Sequence, residues 1–91
     1  MSTLPYFKFT LYVAGTGENS LLAIANITAV CRDQLAGRHH IKIIDILQES
    51  PADDTILLTP MLIKLSPAPI RRIVGSLKDR NTLLQLLGLP A

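Results

Sequence analysis

Residues 57–75 read LLTPMLIKLSPAPIRRIVG. Pro60, Pro67 and Pro69 fall within ten positions, yet the stretch is too apolar for a loop. Proline lacks an amide hydrogen and has a fixed φ, so it suits the first residue of a strand or a turn and not an element interior. Pro60 therefore heads a strand, Met61–Leu65, and Ser66-Pro67-Ala68-Pro69 forms a stiff turn into a second strand, Ile70–Val74. Thr59, preceding a proline, is pushed out of the helical region and ends whatever comes before it. The stretch is a hairpin with prolines at its ends, closed by Gly75.

Upstream, Ser50-Pro51-Ala52-Asp53-Asp54 reads as a short helix start, with Ser50 at the N-cap, Pro51 in the first turn and Asp53 in a partial capping box. Before it, Ile41–Leu47 is a β-branched run, the pattern of a strand buried on both faces for most of its length. Between Ser20 and Leu35, a helical period gathers Ala23, Ile24, Ile27, Val30, Cys31 and Leu35 on one arc. Asn19 or Ser20 is the natural N-cap of this helix, and Gly37 ends it. Tyr6–Val13 alternates, with Phe7, Phe9, Leu11 and Val13 on one face and Tyr6, Lys8, Thr10 and Tyr12 on the other. A turn follows at Ala14-Gly15-Thr16-Gly17. Strand, helix and strand in so short a span make a parallel βαβ unit. Downstream of the hairpin, Lys78 or Asp79 opens a last helix in which Leu83, Leu86 and Leu87 share a face, closed by Gly88 and Pro90. The expected order is βαβαββα, with a four-stranded mixed sheet.

The chain has 91 residues, 48% of them hydrophobic and 18% charged, which makes one folded domain with one modest core. With no Trp and two each of Tyr and Phe, that core is aliphatic. Nine basic residues give a net charge of +2 but form no run, and the scarce aromatics leave no stacking platform for nucleic acid. No stretch approaches the ~18 uninterrupted apolar residues of a membrane span, and Ser2 and Thr3 do not open a secretion signal. The expected compartment is the cytoplasm. The single Cys31 agrees, since one thiol builds no internal disulfide.

Candidate chemistry is sparse. Cys31 lies on the apolar arc, where a thiol is inert. His39 and His40 are adjacent on a strand and point to opposite faces, so they do not readily share an ion. Glu49, Asp53 and Asp54 sit at a helix start, where negative charge favours the dipole without any catalytic role. Arg71 and Arg72 suit either a carboxylate or phosphate partner or a charged edge strand that deters aggregation. No catalytic, cofactor or metal site is expected, and the protein is not expected to be an enzyme.

The element order, with Thr59-Pro60 leading into the third strand, is similar to a thioredoxin-like domain, and the resemblance implies a cis Thr59–Pro60 bond beside the first helix's start. Catalytic members carry Cys-x-x-Cys at that start, where Gly15-Thr16-Gly17-Glu18-Asn19-Ser20 offers no thiol. Four blocks, LYVAGTGENS, IKIIDIL, LLTPMLIKLSPAPIRRIVGSL and the following Asp79-Arg80, resemble the KaiB family of circadian clock proteins from Leu11 to Leu89. A thioredoxin-like sensor domain, the N-terminal domain of the clock kinase SasA, is a near relative of that family.

The resemblance implies a binding module that docks on the ring of a KaiC-type ATPase, competes there with a SasA-like kinase and helps capture a KaiA-like protein. It implies that Ser50, Asp53 and Asp54, with Arg71 and Arg72, face the ATPase. Strand 2, an edge in a sheet of order 2-1-3-4, would offer His39–Asp45 to an incoming strand, with His40 and Lys42 giving selectivity. A shorter segment between Asp45 and Thr59 than the family's usual length leaves open a paralogue in stress signalling. A thioredoxin-fold redox or thiol-binding protein using Cys31 is the other alternative.

KaiB proteins are also known for two folds, a tetrameric βαββααβ state and the thioredoxin-like state that binds the ATPase. Ile63, Ile70, Ile73 and Val74 favour strands, Pro67 and Pro69 disfavour a helix interior, and Asn81–Leu87 reads as a helix. The thioredoxin-like monomer is therefore the expected form.

Overall fold

The computed structural model describes residues 5–49 and 58–89. Its elements run β1 (Phe7–Val13), α1 (Glu18–Gln34), β2 (His39–Asp45), β3 (Met61–Ser66), β4 (Arg71–Val74) and α2 (Arg80–Leu86). The strands form one sheet of order β2-β1-β3-β4, with β1 parallel to β2 and antiparallel to β3, and β3 antiparallel to β4. This is the thioredoxin-like arrangement, with strands in the hairpin and a helix after it, and not the βαββααβ alternative. The helix expected from Ser50 lies outside the described residues.

Phe7, Phe9, Leu11 and Val13 share one face of β1 and pack with Ala23, Ile27, Val30 and Cys31 of α1 and Leu83, Leu84 and Leu87 around α2. Both helices thus cover the same side of the sheet. The opposite face of β1 is not simply solvated: Thr10 and Tyr12 are buried, and Tyr12 packs with Ile44, Met61 and Ile63 in a second cluster. A central strand is enclosed on both sides where its neighbours are apolar, which alternation within β1 alone does not disclose.

α1 starts earlier than expected. Its N-cap is Gly17, in extended conformation and without a side-chain cap, and not Asn19 or Ser20. The Gly17 carbonyl accepts the first bond, from Leu21 N–H at 3.0 Å, and Glu18 supplies negative charge in the first turn. Gly37, at φ 75°, reverses the chain two residues beyond the C-cap Leu35.

β2 corrects the larger expectation. It covers His39–Asp45 in place of Ile41–Leu47, and it is half-buried to exposed, with Ile44 its one buried residue and Ile43 45% exposed. Among the described residues this edge strand has one hydrogen-bonded neighbour, and its β-branched residues are shielded where the main core or the second cluster reaches them.

The hairpin forms as the prolines dictate, although β4 begins at Arg71 and leaves Ile70 exposed. Thr59–Pro60, Ser66–Pro67 and Ala68–Pro69 are all cis. β3 carries an extra residue against β1, since Lys8 faces Ser66 while Phe9 faces Lys64, leaving Leu65 as a bulge.

Gly75, at φ 118°, turns the chain out of β4, and its N–H donates to the Pro60 carbonyl at 2.9 Å. Asp79 caps α2, accepting from the Thr82 N–H at 3.2 Å and the Thr82 hydroxyl at 2.8 Å, and these bonds hold its carboxyl below the usual range. Leu84 joins Leu83 and Leu87 in the core. Because the Asp79 carboxyl titrates lower in the folded chain, its contribution is present above the unfolded value and lost as pH falls through the folded one. Asp79→Ala is expected to lower the melting midpoint by roughly 5 °C at neutral pH, with a smaller deficit in acid. Thermal melts of both chains at pH 7 and pH 3 check it, and an equal deficit at the two values would contradict it.

Candidate functional site

The place where a thioredoxin-like fold carries thiol chemistry is built from the turn after β1, the start of α1 and the Thr59–Pro60 bond. Gly15, at φ 68°, makes the turn, and a β-carbon there would lie 3.2 Å from the Leu47 Cδ1. Asp45 fixes the turn against the end of β2: its Oδ1 accepts from the N–H groups of Gly15 and Leu47, each at 2.9 Å. Asp45, expected as a partner contact, thus has one carboxylate oxygen committed to holding two backbone segments together. The start of α1 presents Glu18, Asn19 and Ser20 and no sulfur. Cys31 lies more than three turns further on, fully buried, and burial pushes its thiol up to about 11.

Among the described residues, no strand pairs with the outer edge of β2. His40 and Lys42 are exposed on it, while the His39 Nδ1 lies 2.8 Å from the Leu35 carbonyl. Cross-strand register extends this edge into a basic surface on the side of the sheet away from α1 and α2. Lys8 lies beside His40, Thr10 beside Lys42, and across β3 Ile63 lies beside Arg72. Lys8, His40, Lys42 and Arg72 therefore share one face, around the apolar patch of Tyr12, Ile44, Met61 and Ile63.

Arg71 and Arg72 do not form the single pair that the sequence suggested. Strand alternation sends Arg72 to that basic face and Arg71 to the helix-covered side, opposite Lys64. The same geometry that separates His39 from His40 applies to the two arginines and was available from their adjacency. Ser50, Asp53 and Asp54 lie outside the described residues. Thr59, Pro60, Gly75 and Asp79 occupy the strand entry, strand exit and helix cap described above.

Sequence reasoning missed three features. Lys64 is buried at 5% exposure within β3. Asn26 of α1 donates from Nδ2 to the Ser76 carbonyl at 2.8 Å, pinning the β4–α2 connection. Asp33 is held below the usual carboxylate range by Arg32 and by Arg80 of α2, the latter at 3.1 Å. Only the apolar context of Lys64, in Leu62-Ile63-Lys64-Leu65, offered a signal in the chain. Among the described residues, no helix is long and apolar enough to cross a membrane.

The structure is similar to the solution structure of the N-terminal domain of SasA from Synechococcus elongatus, with a TM-score of 0.73 over 97% of this chain and 89% of that one, at 19% identity. That likeness supports the fold. By sequence, the chain is 38% identical over 86 residues to the circadian clock oscillator protein KaiB of Prochlorococcus marinus strain MIT 9211, covering 92% of this chain and 75% of that protein. It is 40% identical over 86 residues to the same-named protein of strain MIT 9312, covering 92% and 82%, and 40% identical over 80 residues to that of Rippkaea orientalis, covering 86% and 77%. The family model for the KaiB domain matches residues 10–89, from the middle of β1 to the residue after the α2 turn. Since the match runs from Thr10 in β1 through β2, the proline hairpin and both α1 and α2, the chain belongs to the KaiB family.

Proposed function

We propose that this chain is a non-enzymatic binding module that docks on a KaiC-type ATPase ring and acts in circadian or related signalling, in the cytoplasm. The observation that carries the reading is the combination of a β2 edge that no described strand pairs with and a thiol-free α1 start in a chain of the KaiB family. An edge strand offers unpaired backbone groups to an incoming strand, and exposed Lys42 and His40 select for an acidic one. In this reading a KaiA-like protein adds to His39–Asp45, while Ser50, Asp53 and Asp54 work with Arg72 against the ATPase, where a SasA-like kinase would compete. The burial of Cys31 counts against the thiol-binding alternative.

The test is a size-exclusion shift of the chain with KaiC-type proteins and ATP. Co-elution supports the reading, and independent elution from every such ATPase sinks it. Lys42→Glu is expected to weaken capture of a KaiA-like partner about tenfold while leaving the ATPase complex within about twofold. Unchanged capture in a binding titration would remove the edge assignment. The chain alone is expected to run as a monomer in light scattering, whereas a stable tetramer at micromolar concentration would point to the βαββααβ state.

A further inference from the structure

Lys64 sits in β3 with Phe9 opposite on β1 and Arg71 opposite on β4. All three share the helix-covered side of the sheet, and Phe9 belongs to the main core. Lysine is almost never buried this deeply without an acidic partner. Here no carboxylate pairs with it among the described residues, where the ion pairs are Arg32–Asp33 and Arg80–Asp33. The charge acting on it is of its own sign, from Arg71. No buried side-chain nitrogen among the described residues lacks a hydrogen-bond partner, so the unpaired ammonium must itself touch solvent while its stem is enclosed.

The arrangement is an ammonium carried to the surface by a packed stem, with an exposed Arg71 as its cross-strand neighbour. Burial first, and Arg71 second, disfavour the charged lysine and lower its pKa. An anion between the two groups reverses both penalties. A phosphate group suits them, since arginine binds two of its oxygens through a planar fork and lysine supplies a point charge to a third. The enclosed stem has already lost its rotamer freedom on folding, so little further ordering opposes binding.

We propose that Lys64 and Arg71 form a clamp for a phosphate-class oxyanion, free phosphate or the phosphate group of a small molecule, on the helix-covered side of the β3–β4 hairpin. The clamp lies away from the β2 edge and does not depend on the partner reading above. Its consequence is a hairpin stabilised by phosphate.

The experiment is a titration of the full chain with inorganic phosphate at pH 7, followed by the backbone and side-chain NMR signals of Lys64 and Arg71, against sodium chloride at matched ionic strength. Saturable shifts with a dissociation constant on the order of a millimolar are expected for phosphate and not for chloride. Lys64→Met keeps an apolar stem of similar length and is expected to weaken binding about tenfold. Arg71→Ala, at an exposed position that tolerates truncation, is expected to weaken it at least about threefold. Arg72→Ala, on the other face, should change it less than about twofold. A linear drift common to phosphate and chloride, wild-type binding by Lys64→Met, or equal losses from Arg71→Ala and Arg72→Ala would each overturn the clamp. A parallel titration with glycerol 3-phosphate identifies the source: tighter binding than inorganic phosphate assigns the site to a phosphorylated small molecule, and weaker binding assigns it to free phosphate.

Discussion

Phe9→Ala is expected to destabilise the fold by about 3–5 kcal/mol and to lower the melting midpoint by roughly 15–30 °C. Phe9 is 1% exposed, in the middle of the central strand, with Ile41 beside it on β2 and Lys64 beside it on β3. Its ring stacks on Phe7 with centroids 6.0 Å apart, and the same cluster takes in side chains of α1 and α2. Truncation therefore opens a void between sheet and helices that neither strand pairing nor the short α2 can close. A domain of this length has only about 5–15 kcal/mol of net stability, so the loss is a large share of the whole. Thermal melts followed by circular dichroism read the effect directly. A fall of less than about 5 °C would mean that the main core is not centred on Phe9. Phe9→Leu, which leaves most of the volume filled, should cost well under half as much.

Cys31 is expected to resist labelling in the folded chain. With its thiol raised from 9.0 to about 11, the reactive thiolate is about a hundredfold scarcer at pH 8 than for an ordinary cysteine. Full burial blocks access as well, so labelling by a disulfide reagent should wait on opening of the fold and become fast in guanidinium. The same shift sets a pH dependence. A thiol whose folded value lies above its unfolded one favours the folded state while neutral, so its contribution is complete below about pH 9 and is lost as pH rises towards 11. The loss amounts to about 2–3 kcal/mol over that window, and Cys31→Ala should remove that share of the alkaline slope. Rapid native labelling at pH 8 would contradict the burial and would favour a thiol-based function over a binding module.

Much of the architecture is legible in local chemistry. Prolines at 60, 67 and 69 leave few places for an element to start or stop, and the hairpin follows from them. The alternation of Phe7, Phe9, Leu11 and Val13 identifies the helix-covered face of β1, and the 3.6-residue arc of α1 identifies what meets it. Asp79, three residues before Thr82, is a cap by residue type and spacing alone. The absence of a thiol at Gly15–Ser20, and hence of dithiol exchange chemistry at the start of α1, is also a property of the chain itself.

The candidate site was less legible. Asp45 is expected from the sequence at the end of a partner-binding edge, yet its carboxylate joins the Gly15 turn to the end of β2, a contact across 30 residues that no local pattern encodes. Gly17 replaced Asn19 and Ser20 as the cap because the β1 turn delivers the chain in extended conformation one residue before Glu18. Arg71 and Arg72, adjacent in the chain, serve opposite faces because β4 is extended.

The chain by itself determined where β1, the proline hairpin and the Asp79-capped α2 lie, because proline geometry, side-chain period and capping are interactions among near neighbours. The tertiary structure alone decided which surfaces are wet. Ile43 of β2 is a core residue by composition and an exposed one by position, while Lys64 is a surface residue by type and a buried one by position. Periodicity says which side chains share a face, but whether that face meets water depends on which distant elements pack against it. Here that is set by the order β2-β1-β3-β4 and by α1 and α2 lying on one side of the sheet.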